Sequence, residues 1–132
     1  MRRVVVDTNV FIDWRRKKAG VLGKLMDLSR KGKIEILLPT VVIMEYWVGR
    51  EIDDKGLKAR AERMFEGFVR VGLTELIAKK AGEILRKNKV GQPMDAVVAA
   101  TSLIVDAELA TRNERHFEKV KGLRFYYSTS SA

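Results

Sequence analysis

Three acids in this chain sit where acids are uncommon. Asp7 ends the β-branched run Val4-Val5-Val6, Glu45 lies within Val41-Val42-Ile43-Met44-Glu45-Tyr46-Trp47-Val48, and Asp95 within Pro93-Met94-Asp95-Ala96-Val97-Val98. A carboxylate among apolar side chains needs a partner, because its charge is costly to bury. The chain has no cysteine and a single histidine, His116. Disulfides, thiolate zinc sites, cysteine nucleophiles and paired-imidazole chemistry are thereby excluded. If Asp7, Glu45 and Asp95 meet, their mutual repulsion raises at least one pKa. A hard divalent cation would relieve it, and magnesium or manganese suits a set of oxygen ligands. Each acid also has a plain structural reading. Asp7 can cap a helix beginning at Thr8, Glu45 can pair with a buried Arg or Lys, and Asp95 can sit in a first helical turn, where the dipole favours a carboxylate. Three such acids in one small basic chain argue for a shared site.

The charge balance points to the partner. Lys and Arg total 26 against 17 Asp and Glu, a net charge of +9. Such an excess favours a polyanion, with nucleic acid first and an acidic protein second. The densest run is Arg15-Arg16-Lys17-Lys18. Arg15, Arg16 and Lys17 are candidates for RNA backbone contacts, or the solvated end of a helix. No apolar run approaches the roughly 20 residues that span a bilayer. The apolar stretch after Arg2-Arg3 stops at Asp7, too early for a signal-peptide core, so the expectation is a cytoplasmic protein without membrane contact.

These residues need elements to carry them. The 132 residues suit one domain, 1–132, with a polar tail at 128–132 expected to be disordered. Val4–Val6 reads as a doubly buried strand, followed by helices over Thr8–Lys18 and Val21–Arg30, broken at Gly20 and closed at Gly32. Ile34–Leu38 reads as a strand ended by Pro39, and Thr40 as the cap of a helix over Val41–Arg50. Asp53 or Asp54 starts a long charged helix to about Phe68. Val69–Leu73 is a weak strand, and Thr74 caps the next helix. Pro93 suits the first turn of a helix to about Asp106 that is apolar nearly all round, hence buried. Short strands at Leu109–Thr111 and Leu123–Tyr127 complete the pattern. Strands alternating with helices predict a three-layer α/β/α sandwich with a mostly parallel sheet. Ligands bind beyond the carboxyl ends of such strands, where Asp7, Asn113 and Glu114 fall.

The whole pattern resembles the PIN domain, and within it the VapC-type toxins. Val4-Val5-Val6-Asp7-Thr8-Asn9-Val10-Phe11-Ile12-Asp13 is similar to that family's first motif. Pro39-Thr40-Val41-Val42-Ile43-Met44-Glu45-Tyr46-Trp47-Val48-Gly49 is similar to the second, an acid four before a glycine. Asp95-Ala96-Val97-Val98-Ala99-Ala100-Thr101 resembles the third, and Ala110-Thr111-Arg112-Asn113-Glu114-Arg115-His116-Phe117 the fourth. Any one motif is weak; four in order, spanning about Arg3 to Phe125, are specific. The resemblance implies magnesium- or manganese-dependent cleavage of RNA, a homodimer, and a cognate antitoxin that blocks the site. It makes Asp7, Glu45 and Asp95 the metal-binding, catalytic acids and Thr8, Asn9 and Thr111 supporting polar groups. Many members carry Asp where this chain has Asn113, which leaves a second metal position open. Glu114, adjacent, is the competing fourth ligand.

The implied chemistry is phosphodiester hydrolysis with the charge handled by one or two divalent ions and no side-chain nucleophile. Two rivals differ in class. Aspartyl-phosphate-forming phosphatases begin with a strand ending in Asp-x-Asp, but here the third position is Asn9. A catalytically inactive PIN-like module would bind RNA or protein without cutting, and three retained acids would weaken its hold on phosphate. A phosphate-loop hydrolase is excluded, since no G-x-x-x-x-G-K-[ST] occurs.

Overall fold

Val4, Val5 and Val6 are fully buried, as a β-branched run covered on both faces requires. They belong to β1 (Arg2–Val6) in a computed structural model that describes residues 1–127; the tail at 128–132 lies outside the described residues. The remaining strands are β2 (Ile34–Pro39), β3 (Val69–Val71) and β4 (Glu108–Ala110). All pair in parallel, in the order β3-β2-β1-β4. Between them run α1 (Thr8–Lys17), α2 (Leu22–Arg30), α3 (Thr40–Trp47), α4 (Lys55–Glu66), α5 (Glu75–Arg86) and α6 (Pro93–Ile104).

The chain steps outward from β1 to β2 and β3, then crosses back to the far side of β1 for β4. Right-handed crossovers then place α1 to α4 on one face and α5 and α6 on the other. Packing agrees. Phe11 of α1, Tyr46 and Trp47 of α3, Phe65 of α4 and Phe68 form one aromatic cluster, with Phe65 edge-on to Phe11 and to Tyr46 at 5.1 and 5.4 Å. On the other face α5 packs along α6, which reaches β1 and β4. This is the expected α/β/α sandwich. The reversal between β1 and β4 is its switch point, so the cleft beyond the ends of those two strands is where a ligand would sit.

Local chemistry sets most boundaries. Asp54 caps α4 by accepting from the Gly56 and Leu57 amides, and the Thr74 hydroxyl accepts from the Ile77 amide. The second expected cap differs: Thr40 is already helical, Pro39 holds the cap position, and no side chain caps α3. That helix also stops at Trp47, and a 3-10 turn over Arg50–Asp53 takes up the rest. The last expected strand reduces to a single bridge between Leu109 and Phe125. Among the described residues no helix is long and apolar enough to cross a membrane.

Phe65 is 2% exposed and touches four other rings. Phe65→Ala should therefore cost about 3–5 kcal/mol of stability in urea unfolding, through lost burial and the cavity left behind. A loss under about 1 kcal/mol would mean the cluster collapses around the gap.

Candidate active site

Asp7 is the first residue after β1, and its amide donates to the Ala110 carbonyl at the end of β4, 3.0 Å away. Its side chain is 5% exposed. One carboxylate oxygen, Oδ1, accepts from the Thr8 amide at 2.8 Å and so caps α1. The other, Oδ2, accepts from the Thr111 hydroxyl at 2.9 Å and from the Asn9 amide nitrogen at 3.3 Å. The structural reading of Asp7 and the chemical one thus coexist, one on each oxygen.

Around this carboxylate the polar groups interlock. Asn9 Nδ2 also donates to Thr111 Oγ1, and its Oδ1 accepts from the Arg112 amide. Thr111 Oγ1 accepts in addition from the Asn113 amide at 3.1 Å. The Thr8 hydroxyl donates to Glu45 Oε1 at 2.7 Å, which ties the exposed Glu45 of α3 to the start of α1. Asp95 stands in the first turn of α6, and His116 Nδ1 lies 3.7 Å from its Oδ2.

Electrostatics show that Asp7 feels both of the other acids. The Asp7 carboxyl is pushed up to about 6, first by burial and further by the charges of Asp95 and Glu45, against the pull of the Thr111 and Thr8 hydrogen bonds. Asp95 is raised by its own burial and partly relieved by His116. All the donors here are hard oxygens, and a buried acid driven up by its neighbours' charge is what a divalent cation would relieve. The donor set therefore fits magnesium or manganese in kind. Among the described residues no three acids or histidines stand close enough to hold an ion together as they are, so Glu45 and Asp95 would have to swing inward.

The remaining candidates separate. Asn113 is held in the network by its backbone, whereas the Glu114 carboxylate accepts from the Tyr127 hydroxyl at 3.1 Å. Arg15, Arg16 and Lys17 occupy the last turn of α1, about 12 Å along the helix from Asp7. Arg15 is packed there: its guanidinium bonds Glu51 Oε1 at 3.0 Å and lies over the Tyr46 ring. Arg16 and Lys17 are exposed. Arg112 and Asp13 received no role from the sequence, yet they join across the site, with Arg112 Nη1 donating to Asp13 Oδ1. Their signal was position only, since Asp13 follows Asn9 by one helical turn.

Comparison with known proteins adds a second line. The PIN domain model matches residues 4–123. Ribonuclease VapC19 of Mycobacterium tuberculosis is 31% identical over 118 residues, covering 86% of this chain and 90% of that one. Among solved structures, DNA-bound VapBC from Salmonella typhimurium superposes with a TM-score of 0.80 at 21% identity, covering 96% of this chain and 98% of that one. VapBC2 from Rickettsia felis, bound to a promoter DNA fragment, gives 0.78 at 16% identity, covering 94% and 97%.

The raised Asp7 carboxyl sets a pH dependence. A carboxyl held above its ordinary value stabilises the fold below about pH 4 and loses that contribution as pH rises through about 6. Without divalent ions, the parent should lose about 3 kcal/mol more across that window than Asp7→Asn does. Parallel stability curves for the two proteins would show that Asp7 is not strained.

Proposed function

The chain belongs to the PIN domain family, and we propose that it works as a magnesium- or manganese-dependent endoribonuclease, the toxin of a toxin–antitoxin pair acting in the cytoplasm. The observation that carries this reading is the buried Asp7 carboxyl, pushed up to about 6 with the charges of Asp95 and Glu45 contributing. That arrangement is unfavourable for a fold and useful for holding a cation at phosphate. The name of the relative, a ribonuclease, agrees with it, and so does a net charge of +9.

Asp7, Glu45 and Asp95 would hold the ion. When bound, such an ion acts as a Lewis acid, making water a better nucleophile and offsetting charge on the scissile phosphate. The chain's own polar groups prepare the carboxylates. Thr111 and Asn9 donate to Asp7 Oδ2 and fix its plane, while the Thr8 hydroxyl holds Glu45 by one oxygen and leaves the other free. Asn113 offers a neutral carbonyl oxygen, a weaker ligand for a hard cation, so a second ion would fill only with RNA phosphate bound. Glu114, engaged with Tyr127, is the poorer fourth ligand.

A surface groove supports the partner reading. A groove of about 500 Å³ runs between α1, α2 and α4. Trp14, Met26, Leu57 and Met64 give it apolar walls, and Lys18, Arg30, Arg60 and Arg63 surround them with positive charge. An antitoxin helix with one apolar and one acidic face matches both features. A second copy of the chain would cover other apolar surface: Met44 of α3 and Val48 just past its end, and Leu73 and Leu76 on either side of the Thr74 cap of α5, are all more than half exposed.

The nuclease reading predicts no cleavage of single-stranded RNA in chelator and recovery with magnesium or manganese. Asp7→Asn, Glu45→Gln and Asp95→Asn should each lower the rate by on the order of 10²-fold or more, with folding preserved. Expression of the parent should slow growth, and expression of Asp7→Asn should not. Undiminished cutting in excess chelator would sink the mechanism. RNA binding indifferent to metal, without cutting, would point to a non-catalytic module.

The groove carries its own test. Lys18→Glu with Arg60→Glu should weaken the cognate antitoxin on the order of tenfold or more, mostly by faster dissociation, and leave RNA cleavage by the free toxin unchanged. If RNA affinity falls and antitoxin affinity does not, the groove belongs to the substrate.

A further inference from the structure

A second basic cleft lies on the other face of the sheet. It measures about 300 Å³ and gathers Lys80, Lys87, Lys89 and Lys121 from separate segments. Its floor is apolar, formed by Ile84 of α5, Leu103 of α6 and Val120. Among the described residues Glu83 is the one acid lining it, and its carboxylate is 3.8 Å from Lys87. Among the described residues Lys80, Lys89 and Lys121 have no carboxylate partner.

The backbone is shaped to bring these charges together. After α5 the chain reverses through Asn88, which adopts a left-handed φ of 55°, and the Lys89 amide returns to the Ile84 carbonyl at 3.0 Å. This turn folds Lys89 back over the end of its own helix. Lys121 is placed by another reversal, at Gly122 with φ of 86°, where an added Cβ would lie 3.7 Å from Leu103. Relief of the α5 dipole accounts for Lys87, in the residue after the helix. It does not account for Lys121, which arrives from 34 residues further along the chain. Lys87, Lys89 and Lys121 are exposed, so the lysines around this cleft are open to a chain of phosphates.

We propose that this cleft is a second contact for RNA, holding backbone phosphates of nucleotides outside the catalytic centre. The proposal rests on the ribonuclease reading above. Leu103, at the cleft, follows Asp95 by eight residues on α6, so the two regions are about 12 Å apart along one rigid helix. That separation is on the order of four nucleotide steps of a single strand, so an RNA engaged at the catalytic centre is long enough to reach the cleft. Lysine contacts to phosphate position a strand without reading its sequence, so the cleft sets affinity for extended or folded RNA rather than the choice of cleavage site.

The experiment measures binding of bulk transfer RNA across a potassium chloride series, in chelator so that nothing is cut. The full chain is compared with Lys89→Ala plus Lys121→Ala, and with the Arg pair at the same positions. The alanine pair should flatten the slope of log affinity against log salt by about 1.4–1.8, at about 0.7–0.9 per phosphate contact. The arginine pair should keep the parent slope. In magnesium, cleavage of a short single-stranded oligonucleotide should be the same for all three. An unchanged slope in the alanine pair overturns the proposal, and an unchanged slope with weakened antitoxin binding assigns the cleft to an acidic protein instead. A parent that cuts no RNA, but whose slope still falls with the alanine pair, removes the nuclease reading and supports the contact.

Discussion

The structure depends on keeping one carboxylate buried at the end of β1. Asp7 sits where the sheet's winding reverses, with strands β1 and β4 diverging in sequence but ending side by side. A charge there is tolerable only if the surroundings supply donors, and they do, from three residues. Thr8 donates through its amide and Asn9 and Thr111 through their side chains, while the Ala110 carbonyl accepts the Asp7 amide and fixes the backbone. Among the described residues no buried side-chain nitrogen or oxygen is left without a partner. Yet these donors do not bring Asp7 back to an ordinary carboxylate, because burial and two nearby acids outweigh them. The residual strain is confined to the cleft, which is how folds commonly store the unfavourable electrostatics that function uses.

The rest of the scaffold makes that cleft rigid. Fully buried Val4, Val5 and Val6 hold β1 in place, and the small Ala96, Ala99 and Ala100 let α6 approach the sheet closely. The aromatic cluster of Phe11, Tyr46, Trp47, Phe65 and Phe68 locks α1, α3 and α4 together on the opposite face. Because α1 and α3 are fixed to each other, the Thr8 hydroxyl can hold Glu45 even though Glu45 itself is exposed. Asp7, Glu45 and Asp95 stand at that cleft, while some of the basic side chains line a groove on one face and a smaller cleft on the other. Basic surface around an acidic centre suits a ribonuclease, whose substrate is a polyanion.

Much of this was legible from the residues alone, and the reason is locality. The β-branched run before Asp7, Asp54 and Thr74 ahead of α4 and α5, and Pro93 at the start of α6 each act within one turn or strand, where sequence and structure report the same hydrogen bonds. The absence of cysteine and the single histidine likewise exclude thiolate and paired-imidazole chemistry from the residues alone. Even locally there were failures. Thr40 had the right residue type for a cap, but Pro39 had already set the extended backbone that the cap position needs.

What only the tertiary structure decided lies in contacts between distant residues. Thr111 reaches Asp7 across 104 positions, Arg112 reaches Asn9 across 103, and Thr8 reaches Glu45 across 37. Arg15 looked like part of a free basic run and proved to be packed against Tyr46 and Glu51, while Lys89 and Lys121 gave no sign of sharing a cleft. The physical reason is that hydrophobic period and capping chemistry encode which elements form and which face they bury. Strand order and crossover handedness then determine which ends of those elements meet, and that information is distributed over the whole packed core.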